Sequence, residues 1–71
     1  MSPRLPRITA KELIRFLKEH GFVLYDSKGS HHHFVHPRGG QKVTVPVHAG
    51  KIIGPGLLKA ILKQAGLEWK L

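Results

Sequence analysis

Gly29-Ser30-His31-His32-His33-Phe34-Val35-His36, followed by Pro37-Arg38-Gly39-Gly40 and then Gln41-Lys42-Val43-Thr44-Val45-Pro46-Val47, is the stretch from which the rest of the fold is read. Two turn signals bracket a short run ending in aromatic and apolar residues, the pattern of a strand inside an antiparallel meander. Residues 31–36 are the middle strand. Residues 41–47 complete the meander, with Val43, Val45 and Val47 alternating against Lys42, Thr44 and Pro46, as in a sheet with one face on a core and one in solvent. Pro46 has no N–H to give a ladder, so this strand is an edge there or is ending.

Upstream, Ser27-Lys28-Gly29-Ser30 supplies turn residues at hairpin length, and residues 22–26 predict the first strand. Phe22 and Leu24 fall on one of its faces, Val23 and Tyr25 on the other. Both faces are apolar, so the segment does not say which is inner. Before it, Thr9 with Glu12 three residues on forms a capping box, and Ile8 and Leu13 occupy the staple positions around it. Leu13, Ile14, Phe16 and Leu17 then recur at helical spacing, opposed by Lys11, Arg15, Lys18 and Glu19, until Gly21 stops the helix as its C′ residue. Residues 1–7, with two prolines and two arginines, predict an extended, mobile basic arm.

Downstream, His48-Ala49-Gly50-Lys51 leads through Ile52 and Ile53 to Gly54-Pro55-Gly56, where the proline suits the first turn of a helix. That second helix is expected from about Pro55 to Ala65, with Leu57, Leu58, Ile61, Leu62 and Ala65 as its apolar stripe, Lys59 and Lys63 on its wet face and Gly66 as its stop. Trp69 in the tail is expected to cover an edge of the core. Strands bracketed by helices give an α+β domain: helix, three-stranded antiparallel meander, helix, with the helices on one sheet face and the other face free. This is the layout of double-stranded RNA-binding domains.

Length and charge narrow the partners. At 71 residues the chain is one domain, residues 1–71, and a core of that size buries only about 60% of the surface its unfolded chain exposes. There is no cysteine, hence neither a disulfide framework nor a thiolate metal site. The N-terminus has no apolar run of signal-peptide length and no segment approaches a membrane span, so a soluble, cytoplasmic protein without a membrane partner is expected. Twelve Lys and Arg against four Asp and Glu leave a formal charge of +8, which points to a polyanion and above all to nucleic acid.

Strand alternation sorts the histidines. His31, His33 and Val35 share one face; His32, Phe34 and His36 share the other. Exposing a phenylalanine costs more than exposing a valine, so Phe34 points inward, His31 and His33 lie on the open face, and His32 is partly buried. Two imidazoles on one strand, with His36 or His48 adding a third nitrogen, satisfy the ligand count of a tri-histidine zinc site. The stretch has no carboxylate and its surroundings are positive, so no metal or other cofactor is expected.

Leu17 with Gly21-Phe22, Gly29-Ser30-His31, Val45-Pro46-Val47-His48, Gly56-Leu57-Leu58-Lys59 and Ile61-Leu62-Lys63-Gln64-Ala65-Gly66-Leu67 occur in an order and spacing that resembles the HicA (YcfA-like) family of toxins over nearly the whole chain. The resemblance implies a fold like a double-stranded RNA-binding domain, metal-independent cleavage of messenger RNA, and a cognate antitoxin protein of the HicB type. It also implies that the histidine of the Gly-Ser-His motif, His31, is catalytic. His31 would take the proton of a ribose 2′-OH, with Lys28, Arg38 and Lys42 as candidates to hold the RNA phosphate and its developing charge. His33 and His48 are candidates for a second proton-transfer group, and His48 also matches the family pattern. The family does not require His32 and His33, so no role passes to them from it. The alternative is a non-catalytic RNA-binding module of the same fold, and a third reading is a small metal-binding or protein-docking domain.

Overall fold

The computed structural model describes residues 5–69. Its elements are α1 (Ala10–Glu19), β1 (Val23–Lys28), β2 (His31–Val35), β3 (Lys42–Pro46) and α2 (Pro55–Ala65), an α+β arrangement with an antiparallel sheet in the order β1-β2-β3. Residues 1–4 of the expected basic arm lie outside the described range. Of its remainder, Leu5 packs against the core.

The capping box starts α1 as its sequence dictates. Thr9 Oγ1 accepts from the Glu12 N–H at 3.3 Å, and Glu12 Oε1 accepts from the Thr9 N–H at 3.0 Å. Gly21 follows the C-cap His20 with φ +91°, a conformation that lets the chain reverse and enter the sheet. At the other helix, Pro55 sits in the first turn and Gly66 closes the last.

All three strands differ in their bounds from the sequence reading. β1 starts at Val23 and runs on to Lys28, because Gly29 and Ser30 alone make the hairpin turn. Gly29 has φ +56° at the first central position, where a type II′ turn takes glycine, so two residues suffice where four were expected. β2 ends at Val35 rather than at residue 36, and β3 is limited to Lys42–Pro46. In addition, β1 carries a bulge between Leu24 and Asp26.

Phe34, Val43 and Val45 point from one sheet face into a core completed by Leu13 and Leu17 of α1 and by Leu58, Ile61 and Leu62 of α2. Both helices contact β3, while β1 extends past them, leaving Val23, Leu24 and Tyr25 about half exposed. Leu57 departs from the apolar stripe expected for α2: it is 43% exposed, while its neighbour Leu58 is the residue that turns into the core. Trp69 lies against the core, its ring 4.5 Å from that of Phe16. Among the described residues no helix is long and apolar enough to cross a membrane.

Candidate active site

The Gly29-Ser30 turn delivers His31 as the first residue of β2, on the sheet face that the helices do not cover. Phe34 is buried, so alternation puts His31 and His33 on the open side. The registers then arrange that side in rows. Lys28, His31 and Pro46 are directly opposed across the three strands, and Asp26, His33 and Thr44 form the next row. Val23, Val35 and Lys42 form the last.

His31 is exposed, and among the described residues its ring makes no hydrogen bond, so both nitrogens are free to meet a ligand. The carbonyl of its neighbour Ser30 accepts from the Val47 N–H at 2.6 Å, which carries the β2–β3 ladder past His31 and fixes the backbone beneath it. Lys28 is its direct partner on β1, with cross-strand Cβ atoms about 4.5–5.5 Å apart. An ammonium and an imidazole therefore stand side by side on an exposed, carboxylate-poor surface, where a phosphodiester can contact both.

His33 is held differently. Its Nδ1 lies 2.8 Å from Thr44 Oγ1, the hydroxyl of its partner on β3. The bulge places both Tyr25 and Asp26 against it; the Tyr25 ring centroid is 6.1 Å from the His33 ring. Lys42 Nζ sits 5.7 Å from the centre of the Tyr25 ring, so Tyr25 ties this cation to the open face. Asp26 is the single acid among the residues of that face.

The three cations expected around one phosphate are not brought together. Lys28 is beside His31. Lys42 is paired with Val35, four residues and about 13 Å along β2. Arg38 lies beyond that end, in the turn between β2 and β3, where its N–H donates to His36 Nδ1 at 3.2 Å. His36 accepts a second bond from the Gly39 N–H, also at 3.2 Å, which makes it a turn-organising residue remote from His31. His32 faces the core side, and its Nδ1 is buried with no hydrogen-bond partner among the described residues. His31 and His33 are thus not joined by His36, and no group of three His, Cys, Asp or Glu side chains suited to a metal occurs among the described residues.

His48 belongs to the His31 end of the sheet. It is exposed, follows Val47 and lines a hollow together with Pro46 and Lys51. Sequence reasoning missed Lys51, which a loop returns to this end, since the Lys51 N–H donates to the His48 carbonyl at 3.1 Å. It also missed Thr44 and Tyr25. The Thr44 contact depends on strand register and the Tyr25 contact on the bulge, and neither is written in local periodicity.

Against known proteins, residues 10–67 match the family model described as HicA toxin of bacterial toxin-antitoxin. A curated relative, "Probable mRNA interferase HicA" of Pseudomonas fluorescens (strain Pf0-1), is 40% identical over 57 residues, which cover 80% of this chain and 92% of the relative.

Proposed function

The chain belongs to the HicA toxin family, and on that premise we propose that it is the ribonuclease toxin of a toxin–antitoxin pair: a cytoplasmic endoribonuclease that cleaves messenger RNA by metal-independent general acid–base chemistry. The observation that carries the reading is His31, presented on the uncovered sheet face immediately after the Gly29-Ser30 turn, with Lys28 directly opposite.

His31 takes the proton from a ribose 2′-OH. The resulting oxygen attacks the adjacent phosphorus, a P–O bond to the 5′-oxygen breaks, and the products are a 2′,3′-cyclic phosphate and a 5′-OH. The departing oxygen needs a proton, for which His33 and His48 are the two nearby imidazoles. Lys28 neutralises charge that builds on the non-bridging phosphate oxygens. The nucleophile belongs to the substrate itself, so no metal is needed to generate it. Lys42 lies too far along the strand for the same phosphate and instead holds the RNA strand further on. A HicB-type antitoxin is the partner in this reading, and covering the His31 face would silence the enzyme.

The test is cleavage of a long unstructured RNA in EDTA by the wild type and by His31→Ala. General acid–base help is worth about 10²–10⁴-fold, so a loss of that size is expected in the variant. RNA with a 2′-O-methyl group at the cut nucleotide should resist the wild type. Equal cleavage by both proteins removes His31 from the chemistry, and RNA binding without cleavage by either favours a non-catalytic binding module.

A further inference from the structure

Beside His31 the surface has a hollow at the junction of β3 and α2, with Pro46, His48, Lys51, Ile52 and Leu57 among its walls. We propose that it is a base-binding subsite, which takes the nucleobase next to the cleaved phosphodiester and so sets where RNA is cut. The proposal rests on the ribonuclease reading above.

Two of its walls are apolar side chains that the fold leaves outside. Ile52 is 51% exposed and Leu57 43%. Each is the outward member of a pair. Ile53 turns into the core with its N–H on the Ile8 carbonyl at 2.8 Å, while Ile52 bridges Thr9 and faces out. Leu58 is fully buried and Leu57 is not. Packing therefore accounts for Ile53 and Leu58 but gives no reason for large apolar groups at 52 and 57, and with the Pro46 ring they offer a dry wall of the kind a flat heterocycle fills.

His48 and Lys51 supply the polar and cationic part of the lining. The Lys51 ammonium donates only, and the His48 ring offers a further polar edge, so together they suit base-edge acceptors or the phosphate on the adjoining ribose. A ligand with an apolar face and an anionic linkage is a nucleotide. Position selects RNA over an acidic peptide. Pro46 is the direct partner of His31, so the hollow begins on the strand next to the one that carries the proposed catalytic imidazole, one strand spacing of about 4.8 Å away. A strand that lays its scissile phosphate between His31 and Lys28 has its neighbouring base at this edge of the sheet.

The experiment maps the cut sites on one long RNA for the wild type, Leu57→Ala, Ile52→Ala and the more conservative Leu57→Met, with Lys59→Gln on the outer side of α2 as a control. Thermal melts establish that each variant is folded. Changes of a methylene or more in a hydrophobic pocket shift discrimination by about 10- to 200-fold, so the favoured sites should lose about tenfold relative to the others and KM should rise, while the control keeps the wild-type pattern. Folded variants that cut the same sites at the same relative rates overturn the subsite and leave the ribonuclease reading standing. A wild type that does not cleave overturns that reading and the subsite with it.

Discussion

Three consecutive imidazoles receive three environments because a strand turns each residue opposite to the last. His31 is open to solvent beside Lys28, His33 is pinned by Thr44, and His32 has its Nδ1 buried without a partner among the described residues. An unpaired buried polar atom costs about 1–3 kcal/mol, and an apolar replacement removes that cost. His32→Val should therefore raise the stability measured by urea denaturation by about 1 kcal/mol, with RNA cleavage unchanged. A loss of stability would mean that the ring packs better than its lone nitrogen suggests. The two cations at the ends of β2 should separate in the same way. Lys28→Gln, beside the reacting phosphate, should lower kcat by about 10- to 100-fold, whereas Arg38→Gln should leave kcat nearly untouched. This inner and outer sorting was legible in advance because Phe34 outweighs Val35 as a core residue. The Thr44 contact was not, since it joins residues eleven apart through a register that no single strand encodes.

Helix starts and stops were the most legible features. The capping box at Thr9 and Glu12, Pro55 in the first turn of α2, and the glycines after both helices all act over three or four residues, the range at which sequence dictates backbone directly. Gly21 carries a second constraint that only the structure shows. A Cβ there would lie 2.9 Å from His36 Nε2, and its φ of +91° strains any other residue. His36 cannot yield freely, because its Nδ1 accepts two backbone N–H groups and its ring packs edge-on against Phe22. Gly21→Ala should thus destabilise by about 2 kcal/mol or more, seen as a lower melting temperature. Gly54 is the opposite case: it is the N-cap of α2, has φ −62° and ψ 152°, makes no side-chain cap, and has open space where a Cβ would go. Gly54→Asp should stabilise the helix by about 0.5–1 kcal/mol through a cap bond and the helix dipole. It also puts a carboxylate on the rim of the hollow beside His48 and Lys51, so RNA affinity should fall while the melting temperature rises. The bulge of β1 and the exposure of Leu57 were not legible, because strand pairing and helix packing decide them and local periodicity does not.

At the scale of the molecule, a two-layer fold divides a formal charge of +8 between two sides that the sequence could only sum. Lys11, Arg15, Lys18, Lys59 and Lys63 are exposed on the helices, whereas Lys28 and Lys42 belong to the free sheet face and Lys51 to its edge beside His48. Composition alone predicts that all of these cations attract RNA equally. The fold predicts otherwise, because a strand held at His31 lies along the sheet and is screened from the helix layer over a Debye length of about 8 Å at physiological salt. For single strands the logarithm of affinity falls with the logarithm of salt by about 0.7 for each phosphate neutralised. Replacing Lys28 and Lys42 by Gln should flatten that slope by about 1.4, measured by fluorescence anisotropy with a 2′-O-methyl oligonucleotide that cannot be cut. Replacing Lys59 and Lys63 by Gln makes the same change in net charge and should leave the slope where it was. The reverse result would place RNA across the helices, away from His31, and an equal effect of both pairs would mean that binding follows net charge without regard to the open face.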